Sequence, residues 1–135
     1  MELANMPALV TGGANGVGRG IAKVLAARGA RVAVGDVDAA GAERTAAEID
    51  AAGGVAVALD MDVREPTSVE AVLDALERHF GPVAVLVANA GSTARQPFLE
   101  MELGFFESLL RLNLTGCFLC GQAAARRMAA AGTPG

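Results

Sequence analysis

Short apolar runs alternate with amphipathic stretches from one end of this chain to the other, and that alternation limits the possible folds more than any other feature. Ala8-Leu9-Val10 reads as a buried strand that runs into glycines. Val17, Ile21, Val24 and Leu25 recur at helical spacing, and Gly29 closes that helix. Residues 31–35 read as a second strand ending at Asp36. Asp38 is placed to cap an Ala-rich helix over 39–51, which Gly53 and Gly54 stop. Residues 55–59 form a third strand. Pro66 stands near the next helix start, with Thr67 and Glu70 at capping-box spacing. Val69, Val72, Leu73, Leu76 and Phe80 make one apolar stripe along that helix. Gly81-Pro82 breaks it, residues 83–88 are a fourth, wholly apolar strand, and a loop to about Pro97 leads into a long helical stretch over 102–131.

Strands that are apolar on both faces and separated by helices imply a parallel α/β sheet covered on both sides. A length of 135 residues suits one domain. The chain ends just after a helix, where such a domain enters its next strand. The expectation is therefore one incomplete domain over 1–135, truncated after the fourth strand and fourth helix: a fragment. With 53% hydrophobic residues, 19% charged and a net charge of −4, the chain is neither a disordered tail nor a basic nucleic-acid binder. Its longest apolar run, residues 83–88, is far short of the ~20 residues that span a bilayer. The N-terminus lacks the basic start and apolar core of a signal peptide, and the two cysteines make no disulfide scaffold. A cytoplasmic location is expected.

Between the first strand and first helix lies Thr11-Gly12-Gly13-Ala14-Asn15-Gly16-Val17-Gly18. Glycines there permit positive φ and let a pyrophosphate approach the backbone, while the helix that follows points free N–H groups at it. The spacing is not G-x-G-x-x-G, because Ile21 follows Gly16-x-Gly18 at the third position, and Arg19-Gly20 stands where a P-loop needs Lys-Ser/Thr. It is T-G-x-x-x-G-x-G. Asp36 ends the second strand eighteen positions after Gly18, close to the ~20 expected of an acid that hydrogen-bonds an adenosine ribose. A carboxylate there repels a 2′-phosphate by about 3 kcal/mol per unit charge at ~5 Å and an effective dielectric of ~20, so NAD is expected over NADP. The plainer reading of Asp36 is a turn cap.

With these residues in order, the chain resembles the short-chain dehydrogenase/reductase family over essentially its whole length. Three further motifs add to the likeness. Asp62-Val63 follows the third strand, and Asn89-Ala90-Gly91 follows the fourth, with Ala88 in place of the family's first Asn. Asn113-Leu114-Thr115-Gly116 is similar to the segment that carries the catalytic-tetrad Asn. The resemblance implies a Rossmann-type doubly wound parallel sheet of order 3-2-1-4. It implies that Gly12, Asn15, Gly16, Val17 and Gly18 line the pyrophosphate, Asp36 holds the ribose, and Asp62 and Val63 meet the adenine. Asn89 would brace the central strand, with Ala90 and Gly91 near the ribose, and Asn113 would distort its helix and hold a water of the proton relay. For Asp62 a helix cap, and for Asn113 an ordinary polar helix residue, remain the alternatives.

The implied activity is NAD-dependent hydride transfer between nicotinamide and an alcohol or ketone, in a homo-oligomer with no membrane or nucleic-acid partner. One departure is decisive. The chain has no tyrosine, no tryptophan, one histidine (His79) and one lysine (Lys23), which sits on the first helix. The family's Ser and Tyr-x-x-x-Lys are absent, so the chain alone is expected to be inactive. The alternative is a non-catalytic adenine-nucleotide-binding module or truncated pseudoenzyme. Cys117-x-x-Cys120 lies mid-helix, away from the dipole that would activate a thiol, so no redox or metal site is expected. Arg95 borders the implied substrate side, where an exposed loop arginine is the simpler reading.

Overall fold

A computed structural model describes residues 3–133. Strand β1 (Pro7–Thr11) leads to helix α1 (Gly16–Ala27), β2 (Arg31–Asp36) to α2 (Ala39–Ala51), and β3 (Val55–Asp60) to α3 (Pro66–Phe80). After β4 (Val85–Val87) come a 3₁₀ turn (Phe98–Glu100), α4 (Leu103–Leu110), a π turn (Arg111–Thr115) and α5 (Gly116–Ala131). The four strands are all parallel, in the order β3-β2-β1-β4. The chain winds outward from β1 through β2 to β3, then crosses back to place β4 on the other side of β1. The switch point between β1 and β4 opens a crevice at the C-terminal ends of the strands, where such sheets bind ligands.

The two-residue period of the strands sorts the core into two layers. Leu9 and Ala33 face one side, with Met61, Val69, Val72, Leu73 and Leu76 of the β3–α3 region and Cys120, Ala123 and Ala124 of α5. Ala8, Val10, Val32 and Val34 face the other, against Ala22 and Ala26 of α1 and Ala42 and Ile49 of α2. Both faces of the sheet are therefore covered by helices. Alanines dominate the α1–α2 layer, which lets those helices lie close to the sheet.

Three expectations change in detail. First, β4 is three residues rather than 83–88, because only Ala8, Leu9 and Val10 offer it a ladder. Val83 is fully buried ahead of the ladder, and Asn89 turns out of it by donating its N–H to the Val87 carbonyl at 3.0 Å. Second, the expected capping box at Thr67 and Glu70 does not form. Glu65 is the N-cap and Pro66 takes the first helical position, where its missing N–H costs nothing. Third, the stretch over 102–131 is one continuous helical rod interrupted at Arg111–Thr115 by a π turn. By length and composition alone, Leu103–Ala131 is the one helix among the described residues apolar enough to cross a membrane. Its Cys120, Ala123 and Ala124 are buried in the core, whereas Leu103, Leu114 and Phe118 are exposed. Asp38 caps α2 as expected, its Oδ1 accepting the Gly41 N–H at 2.9 Å.

One stabilising cluster has no counterpart in the local patterns. Arg127 of α5 reaches Glu70, Asp74 and Glu77 of α3 at 2.6, 2.7 and 2.8 Å. Those three acids share one face of α3 at helical spacing, so a single guanidinium clamps the two helices together.

Candidate functional site

Thr11, 1% exposed, joins the two strands that flank the crevice. Its hydroxyl donates to the Val87 carbonyl at 3.3 Å and accepts the N–H groups of Asn89 and Ala90, each at 3.0 Å. The Asn89 amide in turn donates to the carbonyls of Thr11 and Gly12 at 3.0 and 3.1 Å. This lattice holds the ends of β1 and β4 in fixed relation and aims the following backbone into the crevice.

The glycine loop then turns into α1. Gly16 has a φ of +53°, which favours glycine. At Gly18 a Cβ would overlap the Gly12 carbonyl oxygen and come 2.5 Å from the Asn89 amide nitrogen, so only glycine lets the loop and helix approach this closely. The first N–H of α1 with a helical acceptor is that of Arg19, bonded to the Asn15 carbonyl at 3.1 Å. The N–H groups of Gly16, Val17 and Gly18 are thus free for a ligand at the positive end of the helix dipole.

Asp36 faces this loop from the end of β2. Its Oδ2 accepts the Ala14 N–H at 3.0 Å, and its Oδ1 accepts the Asp38 N–H at 3.0 Å. The carboxylate both braces the loop and presents remaining acceptor capacity to the crevice. Across from it, Asp62 forms a two-pronged pair with Arg64, whose Nη2 lies 2.7 Å from Oδ2. Hydrogen bonding from that guanidinium holds the Asp62 carboxyl below the usual aspartate range. Val63 is buried beneath α5: a Cβ on Gly116 would come 2.7 Å from its Cγ2.

Together these residues line a cleft of about 430 Å³, within the usual size of a small-molecule site. Gly12, Asn15, Val17, Gly18, Asp36, Asp62, Val63, Asn89, Ala90 and Gly91 all line it, alongside Val37, Met61, Arg64 and Leu112. Of the residues named from the sequence, Gly16 and Asn113 do not. Gly16 acts through its backbone at the start of α1. Asn113 stands in the π turn behind the β4–α4 loop, its Oδ1 accepting the Ser92 N–H at 2.8 Å and its Nδ2 donating to the Ser92 carbonyl at 2.9 Å. π turns cluster at functional positions in helices.

Thr11, Val37, Met61, Arg64 and Leu112 were not named from the sequence as site residues. A threonine opening a glycine loop was the one available signal, for Thr11. Nothing local marks Arg64 or Leu112. Other features lie elsewhere. Lys23 is bonded to Glu48 at 3.1 Å on the outer face of α1. Cys117 is exposed, and burial pushes the Cys120 thiol up to about 11. No group of three potential metal ligands exists among the described residues. Arg95 is exposed on its loop.

The whole arrangement has close counterparts. The model of the short chain dehydrogenase family matches residues 7–135. The chain is 41% identical over 131 residues to a cis-4-hydroxycyclohexanecarboxylate dehydrogenase of Sinomonas cyclohexanicum, covering 96% of this chain and 52% of that protein. It is 42% identical over 125 residues to a D-threitol dehydrogenase of Mycolicibacterium smegmatis, covering 93% and 48%. The crystal structure of a short-chain type dehydrogenase/reductase from Mycobacterium marinum superposes with a TM-score of 0.96 at 36% identity, covering 99% of this chain and 54% of that one. The chain thus spans about half the length of the curated relatives it matches. By the family model that matches residues 7–135, by sequence and by overall fold, this chain belongs to the short-chain dehydrogenase family.

Proposed function

We propose that residues 1–135 form a single, incomplete NAD-binding domain. The protein it serves would be an oxidoreductase that moves hydride between nicotinamide and an alcohol or ketone carbon. The observation that carries this reading is the switch-point cleft, with unpaired α1 N–H groups on one wall and Asp36 at the end of β2 on another. The donor set suits a dinucleotide: backbone amides for the pyrophosphate, a carboxylate for the ribose hydroxyls and an apolar Val63 for the base. Bound there, the nicotinamide supplies the hydride-accepting carbon. The chain's own residues orient the adenosine half: α1 amides neutralise phosphate charge, Asp36 accepts from the ribose, and Asn89 holds the floor. The names of the two dehydrogenase relatives, each acting on a hydroxylated small molecule, support the alcohol side of the reaction.

NAD is preferred over NADP in this reading, because Asp36 repels a 2′-phosphate and the arginine lining the cleft, Arg64, is already paired with Asp62. With no tyrosine, and its one lysine on the outer face of α1, the chain by itself binds without turning over. The protein is cytoplasmic and homo-oligomeric in the same reading. The exposed apolar residues Leu103, Leu114 and Phe118 are the surface that association or further chain would cover.

Calorimetry of the chain with ADP-ribose and with its 2′-phosphorylated form tests the proposal. ADP-ribose binds, and the 2′-phosphate weakens binding by about tenfold or more, a screened fraction of the repulsion estimated above. Asp36→Ala removes that difference. No heat with millimolar ADP-ribose overturns the binding reading, and an Asp36→Ala chain with unchanged discrimination overturns the NAD assignment.

A further inference from the structure

We propose that Arg111 and Arg64 are positioning residues for the base-recognising end of the cleft: Arg111 fixes the Arg64 backbone, and Arg64 orients the Asp62 carboxylate toward a purine bearing an amino group. The inference rests on the dinucleotide reading above and names how the base would be selected.

The Asp62 carboxylate is held in a specific way. Its Oδ1 accepts the backbone N–H of Arg64 at 2.9 Å and the Arg64 Nε at 2.9 Å, and its Oδ2 accepts Nη2 at 2.7 Å. An ionised carboxylate offers about four acceptor sites. Arg64 brings three N–H donors to them, its Nε shared between Oδ1 and, at 3.2 Å, Oδ2, so the position on Oδ2 that only this longer contact touches is the one open to a ligand. Both Asp62 and Arg64 line the cleft. The remaining site suits one N–H donor, such as the exocyclic amine of adenine. It repels a carbonyl oxygen in the same place.

An exposed arginine–aspartate pair on a loop is ordinarily weak and mobile. Here the loop is tied down from a distance. The Arg64 carbonyl accepts Nη2 of Arg111 at 3.0 Å, across 47 residues, and the same guanidinium lies 3.6 Å from Oε1 of Glu65. Arg111 opens the π turn. At the far end of that turn, Gly116 packs on Val63 so closely that a Cβ would come 2.7 Å from its Cγ2. The β3–α3 loop is therefore seated on the turn at two points. Residues two apart on a helical turn point to nearly opposite sides. From the same turn, Asn113 accordingly reaches Ser92 on the other wall of the crevice. One short turn thus sets the spacing of both walls, and Arg111 is its link to the base.

The test compares ADP-ribose with inosine diphosphate ribose, which differs in carrying a carbonyl where adenine carries its amine. Calorimetry is run on the 135-residue chain and on Arg111→Met, Arg111→Lys and Arg64→Met. The unsubstituted chain favours ADP-ribose by about tenfold or more, the value of one hydrogen bond to a charged group. Arg111→Met brings the two ligands to within about threefold, and Arg111→Lys, which keeps a donor for the Arg64 carbonyl, restores most of the preference. Arg64→Met keeps the Arg64 backbone but frees the carboxylate, and it also loses the preference, so the idea stays testable if Arg111→Met does not fold. A variant that weakens both ligands equally and keeps their ratio shows support of the fold alone and overturns the proposal. Binding of neither ligand by the unsubstituted chain overturns the dinucleotide reading itself. Binding of ADP-ribose with no preference over the inosine form overturns only the inference.

Discussion

Replacing Thr11 by valine isolates the contact that joins the two strands flanking the cleft. The side chain keeps its shape and loses its hydroxyl. Thr11 is 1% exposed, and its Oγ1 accepts two N–H groups, from Asn89 and Ala90, each at 3.0 Å. Leaving a buried donor unpaired costs about 1–3 kcal/mol. The Asn89 N–H keeps its bond to the Val87 carbonyl, so valine strands only the half-buried Ala90 N–H, at about 1–3 kcal/mol. The donor bond to the Val87 carbonyl, at 3.3 Å, is long and adds little. The chain has no tryptophan and no tyrosine, so unfolding must be followed by far-ultraviolet circular dichroism rather than by intrinsic fluorescence. With a urea slope of about 2 kcal/mol per molar, the midpoint falls by about 0.5–1.5 M. Thr11→Ser is the control. It keeps the hydroxyl and loses one buried methyl, at a cost of about 1 kcal/mol. If valine costs no more than serine, the hydroxyl does not hold the strands and the reasoning fails.

Three further outcomes follow from particular contacts. Gly18→Ala forces a Cβ against the Gly12 carbonyl and the Asn89 amide, so it costs about 2 kcal/mol or more in thermal unfolding and abolishes ADP-ribose binding; a folded variant with normal binding would contradict it. The Asp62 carboxyl titrates below its ordinary value of 3.8 because Arg64 hydrogen-bonds the charged form. Since the folded value is the lower one, the stabilisation is present above the ordinary value and lost as pH falls through the depressed one. Carbon-13 titration of Asp62 reads this, and Arg64→Met shifts the midpoint upward. Cys117 reacts with Ellman's reagent in the native chain while Cys120, buried and with its thiol pushed up to about 11, reacts only after denaturation, giving one thiol per chain and then two.

The order of elements, the place of the glycine loop between β1 and α1, and Asp36 at the end of β2 are all legible along the chain. These are local: a strand shows its period within five or six residues, a helix within a few turns, and a glycine turn within eight. Helix α2 begins and ends at the expected residues because its punctuation, Asp38 before it and two glycines after, is adjacent in the chain. Where a boundary depends on a distant partner, local reading misses. The fourth strand is shorter than its apolar run because β1 supplies only three residues to pair with it. Thr67 and Glu70 have capping spacing but do not cap, because Pro66 next door is better suited to the first turn.

Which residues meet depends on the fold. Thr11 bonds partners 76 to 79 positions away, Arg111 holds a carbonyl 47 positions away, and Arg127 collects three acids from another helix. Spacing and composition do not say which of these residues pair with which. A polar side chain carries no period, and its partner is chosen by the sheet order β3-β2-β1-β4 and by the twist that brings α5 over α3. The sequence named the walls of the cleft; the fold, by joining distant hydrogen-bonding groups, set how far apart they stand.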